Sequence, residues 1–161
     1  VEHPNEVPKM LRELGTLVNR SEAAERYASE LEALLIELLQ SPLPATRVAP
    51  MIWHEPLMSV GPEKYAGGLL TTLGLSVPSL VEGGNGYPVV TVEALKQHDI
   101  EALLLSSEPH RFALEEGEDI AAQVIAQGGQ TMWCKCIDGE ALTWFGTHTA
   151  EGLRLLHEAL K

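Results

Sequence analysis

The sequence predicts an α/β domain with a small, mainly parallel sheet, preceded by a long helix. Three observations carry this. The runs VAPMIW at 48–53 and ALLLS at 102–106 are short, nearly continuous and apolar, as suits strands buried on both faces. Helical patterns alternate with these strands and with a third at 131–137, the order that places parallel strands between helices. A helical apolar stripe also persists over Ser21–Gln40. A helix of that length spans ~30 Å, about the width of a small domain.

The elements follow in order. Asn5 can cap an opening helix in which Val7, Met10, Leu11, Leu14 and Val18 share one face, with Gly15 weakening it slightly. Asn19-Arg20 separates it from the long helix, capped by Ser21. Its stripe is Ala24, Tyr27, Ala28, Leu31, Leu34, Leu35, Leu38 and Leu39, with Glu22, Glu25, Arg26, Glu30, Glu32 and Glu37 mostly off it. Ser41-Pro42-Leu43-Pro44 stops that helix. The first strand then runs into Trp53-His54-Glu55-Pro56, where Pro56 ends regular pairing because it has no N–H to donate. A helix is predicted over 62–73, with Tyr65, Leu69 and Leu73 inward and Gly74 as its stop. Gly67-Gly68 inside it costs stability and implies a close neighbour. Residues 76–86 read as a loop whose flexible part is Glu82-Gly-Gly-Asn-Gly86. Tyr87-Pro-Val-Val90 is extended, and Thr91 caps a short helix through His98 with Glu93 in its first turn. The strand at 102–106 enters a second polar loop, Ser107-Glu-Pro-His-Arg111. A helix over 116–126 stops at Gly128-Gly129. After the third strand, Asp138-Gly139 is a turn, Thr143-Trp-Phe-Gly-Thr-His148 is a third loop, and Thr149 caps a last helix through Leu160.

Composition narrows the function classes. At 161 residues the chain is long enough for one substantial core. Eleven Lys and Arg stand against 23 Asp and Glu, a net charge of −12. That excess disfavours nucleic acid, since little here would neutralise a row of phosphates. It equally disfavours adhesion to anionic lipid. No apolar run approaches the ~20 residues of a membrane helix, and no secretory leader is read at the start. Cys134 and Cys136, two apart on a strand, point to one face with Cα atoms ~6.5–7 Å apart, poorly placed to bridge each other. Free thiols are the plainer reading and a metal site the other.

In an open α/β sheet, ligands sit beyond the carboxyl ends of the strands. The loops WHEP, EPHR and WFGTH are expected to meet at one such edge. They would bring together Trp53, Tyr87, Trp144 and Phe145 for flat contact, and His54, His110 and His148 for coordination or hydrogen bonding. Aromatic walls with a few polar groups describe a ligand cleft. For Trp53 alone, a plain core role stands equally open. No phosphate-binding glycine loop and no Gly-x-Ser-x-Gly elbow is present.

At these loops the sequence resembles the periplasmic substrate-binding proteins of cobalamin and iron-chelate ABC importers, the helical-backbone metal receptor group. The matching stretches are Leu11-Arg-Glu-Leu-Gly15, Ile52-Trp-His-Glu-Pro-Leu-Met58, Gly86-Tyr-Pro-Val-Val-Thr-Val-Glu-Ala-Leu95, Leu104-Leu-Ser-Ser-Glu-Pro109, Asp138-Gly-Glu-Ala-Leu-Thr-Trp-Phe-Gly146 and Thr149-Ala-Glu-Gly-Leu153. They cover nearly the whole chain in the group's order. The resemblance implies two regions: residues 1–45, containing the interlobe backbone helix, and 46–161, a three-layer Rossmann-like C-terminal lobe. On this expectation the N-terminal lobe is missing.

The same resemblance implies a non-enzymatic receptor, periplasmic or at the cell surface, for cobalamin, haem or a ferric siderophore. Its partners would be an ABC transporter permease and the metal chelate itself. Trp53, His54, Tyr87, His110, Trp144, Phe145 and His148 would form the cleft wall, with no catalytic or metal-ligating residues. His148 stands where the pattern often has arginine. Glu93 would be the carboxylate that meets the permease; its plainer role is a first-turn acid favouring the helix dipole by ~0.3–1 kcal/mol. A single lobe would expose an apolar cleft face, so a homodimer through that face is an expectation. Two other classes stand beside the receptor. One is a metal-dependent hydrolase using His54, Glu55, Glu108, His110 and His148. The other is an interaction module that keeps the lobe fold without transport.

Overall fold

The computed structural model describes residues 1–83 and 86–161. The Gly84–Asn85 part of the expected glycine-rich loop lies outside the described residues. After a 3-10 turn at Pro4–Glu6 come α1 (Val7–Leu17), α2 (Ser21–Gln40), β1 (Val48–Trp53), β2 (Met58–Ser59), α3 (Tyr65–Thr72) and α4 (Val92–Gln97). There follow β3 (Ala102–Ser106), α5 (Leu114–Ala126), β4 (Trp133–Ile137), α6 (Gly139–Thr143) and α7 (Thr149–Leu160). One sheet has the order β2-β1-β3-β4, with β1, β3 and β4 parallel and β2 antiparallel to β1.

Alternation along the strands builds two cores. Val48 and Ile52 of β1 and Ala102 and Leu104 of β3 face α2, α3, α6 and α7. Ala49 and Met51, with Leu103 and Leu105, face α4 and α5 through Leu95, Ile120 and Val124. Helices therefore cover both faces of the sheet, as three layers require, and β3 is buried along its whole length. The inner side of α2 belongs to the same core as α3 and α7, through Leu31, Leu34, Leu35 and Leu38.

Several local expectations are corrected. Pro56 does not end pairing: the chain turns back and Met51 pairs with Ser59 in the short β2, so the sheet has a fourth strand. Asn5 is no cap; His3 caps the 3-10 turn, its Nδ1 accepting the Asn5 N–H at 3.2 Å. Ser21 is the first helical residue of α2, not its cap. Four side chains placed on apolar stripes face outward instead: Leu14, Val18, Tyr27 and Leu39 are all exposed. Residues 61–64 form a turn, so α3 begins at Tyr65 rather than 62. Asp138-Gly139 is not a free turn, since Asp138 caps α6 through Oδ1, which accepts from the Ala141 N–H at 2.9 Å. Thr149 is helical, with its hydroxyl committed elsewhere.

The two glycines of α3 have the close neighbours their cost implied. A Cβ at Gly67 would run into the Gly61 carbonyl oxygen and the Pro62 backbone, and one at Gly68 into Glu2 and His3.

On the surface, Arg12 of α1 forks across to α2. Its Nε and Nη2 donate to Glu25 at 2.8 Å, and Nη1 donates to Glu32 at 2.7 Å. The guanidinium, helped by Ser29, holds the Glu25 carboxyl down at about 2. A folded pKa below the unfolded one means that this carboxylate stabilises the fold fully above its ordinary pKa of ~4.3, and ceases to do so as pH falls toward about 2. In Arg12→Gln, carbon-detected NMR should show Glu25 titrating near the ordinary carboxylate value. An unchanged titration would mean that Arg12 does not hold it.

Candidate functional site

The carboxyl ends of β1 and β3 open into polar loops, β4 passes through its cap residue Asp138 directly into α6, and the three ends are tied together. The His110 N–H donates to the Ile52 carbonyl at 3.3 Å, joining the loop after β3 to the end of β1. The Gly139 N–H donates to Ser107 Oγ at 2.9 Å, joining the end of β4 to the same loop. A Cβ at Gly139 would strike the Glu108 backbone nitrogen, so glycine permits this approach. Ser106 Oγ donates to the Glu108 carbonyl at 2.6 Å and folds the loop back on its own strand. The Glu55–Pro56 and Glu108–Pro109 bonds are both cis.

Beside these loops lies a cleft of about 530 Å³, lined by Ile52, Val60, Tyr65, Ala66, Tyr87, Glu108, Pro109 and Thr143. Its size falls within the range of small-molecule sites, and most of its lining is apolar. Tyr87 is brought to it by β2: the Ser59 N–H donates to the Pro88 carbonyl and the Val90 N–H to that of Leu57. Lys64 Nζ lies 5.6 Å from the Tyr87 ring centroid. Tyr65, at the start of α3, forms the cleft floor. Its hydroxyl shares a hydrogen bond of 2.9 Å with the buried Thr149, and burial pushes its pKa up to about 12.

The predicted wall residues fall into three groups. Tyr87 lines the cleft directly, and Phe145 packs on the cleft residue Tyr65 at 5.5 Å between ring centroids. Trp53, His54 and His110 gather next to it, where the β1 and β3 loops meet. The Trp53 and His110 rings are 6.1 Å apart, edge to face, and those of His54 and His110 5.8 Å. Trp144 and His148 pair with each other at 6.1 Å, and His148 turns to Glu151 at 3.5 Å. Neither lines the cleft. Trp53 is not a core residue: 40% of it is exposed, and its indole N–H donates to the Glu55 carbonyl. Tyr87, Trp144 and Phe145 are exposed by 47–52%. For large aromatic rings this amounts to a wettable apolar surface that a ligand could cover.

Glu116 is the residue that sequence reasoning missed. Its Oε1 is hydrogen-bonded to His110 Nε2 at 3.0 Å and lies 2.8 Å from His54 Nδ1, an ion-pair contact. Its Oε2 accepts the Ala113 N–H at 2.7 Å, closing the first turn of α5. That backbone bond foremost, then His110, holds the carboxyl below the usual range. Phe112 braces the imidazoles, its ring edge-on to His110 at 4.6 Å. The hydrolase set does not assemble. His54 and His110 converge, but on Glu116 rather than Glu55 or Glu108, and His148 bonds elsewhere. Glu93 lies on α4, bonded to Lys96 at 3.0 Å and Gln97 at 2.9 Å. Cys134 and Cys136 are free, and burial raises the Cys134 pKa.

No protein-family model matches the sequence, and no curated protein matches it either. Solved structures do match. A possible iron-binding (periplasmic solute-binding) protein from Staphylococcus epidermidis aligns over 99% of this chain and 63% of its own, with a TM-score of 0.74 and 15% identity. The periplasmic heme-binding protein of Vibrio cholerae aligns over 96% of this chain and 63% of its own, with a TM-score of 0.73 and 13% identity. The periplasmic vitamin B12 binding protein of Vibrio cholerae aligns over 99% and 62%, with a TM-score of 0.71 and 10% identity. The chain thus spans a little under two thirds of the length of these structures. Over that length it has the fold shared by periplasmic iron-, heme- and vitamin-B12-binding proteins, the group its loop motifs resemble.

Proposed function

We propose that the chain is part of the substrate-binding component of an ABC importer, and that its cleft receives a large planar metal chelate such as haem or a corrin. One observation carries the reading. The aromatic cleft and the imidazole group lie side by side at the carboxyl edge of the parallel strands, where α/β folds hold ligands. The solved structures of like fold include proteins described as binding heme, iron and vitamin B12, which supports a metal chelate as cargo. On this reading Tyr87, Phe145 and Trp53 supply flat contact, His54 and His110 face the polar rim, and Glu93 is the carboxylate offered to a permease. The protein acts by holding rather than reacting, outside the cytoplasmic membrane. No helix among the described residues is long and apolar enough to cross a membrane.

The test is a spectral titration of the purified chain with haemin, cobalamin and a ferric hydroxamate. The reading expects one of them to saturate at a single equivalent, weakened at least tenfold by Tyr87→Ala. If none saturates, or if the variant binds as well, the reading fails.

A further inference from the structure

We propose that His54, His110 and Glu116 form a coordination site for a free divalent transition-metal ion, taken up by this chain without any chelate. The three donor atoms come from separate places in the sequence: the ends of β1 and β3 and the first turn of α5. Yet they lie within 4.8 Å of one another. Both imidazole nitrogens lie close to the same oxygen, Glu116 Oε1, at 2.8 and 3.0 Å. Donors around a tetrahedral ion with bonds of ~2.0–2.1 Å stand about 3.3 Å apart. The two imidazole–carboxylate separations would widen by only a few tenths of an ångström around such an ion.

The surroundings suit a prepared site. Glu116 is held by Oε2 on the Ala113 N–H, which leaves Oε1 for the ion. Its position in α5 follows from Gly117, where a Cβ would collide with Leu105, so the helix can press close to β3. His110 is fixed by its backbone bond to Ile52 and by the Phe112 edge. Such supports orient ligands and raise affinity.

The chemistry selects the class of ion. Two imidazoles and one carboxylate suit Zn(II), Co(II), Ni(II) or Cu(II), whereas Mg(II) and Ca(II) want oxygen donors throughout. The side chains of His54, His110 and Glu116 remain 39%, 31% and 25% exposed, so a fourth position is open to water or an incoming ligand. That is the pattern of a site that exchanges its ion or its fourth ligand, rather than a closed structural one. The inference stands apart from the proposed chelate cargo, and either can fail without the other.

The experiment is zinc binding by equilibrium dialysis on the metal-stripped full chain carrying Cys134→Ser and Cys136→Ser, which removes thiolate binding. Cobalt(II) quenching of tryptophan fluorescence is read alongside. One zinc per chain is expected, weakened at least tenfold in His54→Ala and in His110→Ala, with His157→Gln unchanged. Trp53→Phe should lose most of the quenching, because its ring lies 6.1 Å from that of His110. Glu116→Gln keeps an oxygen that can accept from the Ala113 N–H and so tests the carboxylate only in part; the histidine variants decide, each checked for a native circular dichroism spectrum. The absence of saturable zinc binding, or binding that survives both histidine substitutions, would show a cluster that is only hydrogen-bonded and overturn the proposal.

Discussion

Leu104→Ala is expected to remove about 2–5 kcal/mol of folding stability, measured by urea unfolding. Leu104 sits at the centre of β3, flanked by Pro50 of β1 and Lys135 of β4. It is wholly buried and points into the core that joins the sheet to α2, α3, α6 and α7. Strands on both sides prevent collapse into the space left behind, so both the lost transfer energy and the cavity count. Domains of this kind hold only about 5–15 kcal/mol in total, and the midpoint should fall visibly. Leu39→Ala is the control. That leucine is 73% exposed on α2, and a change within about 0.5 kcal/mol is expected. Equal losses at the two positions would contradict the assignment of the core.

Gly67→Val is expected to cost about 1–3 kcal/mol and to deform the cleft as well. Any side chain at this position meets the Gly61 carbonyl and the Pro62 backbone, neither of which can rotate away as a flexible side chain could. The turn at 61–64 must shift. It carries Lys64, which lies over Tyr87, and adjoins the lining residues Val60, Tyr65 and Ala66. Unfolding measurements should show the stability loss, and titration with whichever chelate the wild-type chain binds should show weaker affinity. A variant as stable as the wild type would mean that α3 does not need that close approach.

The sheet and its two helical layers could be read from the sequence because burial leaves direct marks. VAPMIW and ALLLS are apolar almost throughout, since both of their faces are covered. Helix ends and outward faces were less legible. Tyr27 and Leu39 fit a 3.6-residue stripe, but the covered arc of α2 is narrower than that stripe. The two residues of β2 are too short to show a period, and their pairing depends on how the chain turns at Pro56. At the site, position relative to the strand ends predicted the meeting of His54 with His110. It could not reveal Glu116, which reads as an ordinary first-turn acid. Its register over β3 depends on Gly117 meeting Leu105, a tertiary contact with no local signature. Trp144 and His148 carried the same chemical signal as the residues that converge, but the capped α6 precedes them and they pair with each other instead.

The central claim is that the carboxyl edge of the sheet, where Tyr87 and the Trp53–His110 pair lie, is the face that takes the ligand. Amide and indole NMR shifts recorded while haemin, and then cobalamin, is added to the isotope-labelled chain test it most directly. The account predicts that shifts concentrate at residues 52–60, 65–66, 86–89, 107–113 and 143–145. Shifts clustered instead on the exposed side of α2 or along β4, with these segments unmoved, would contradict it.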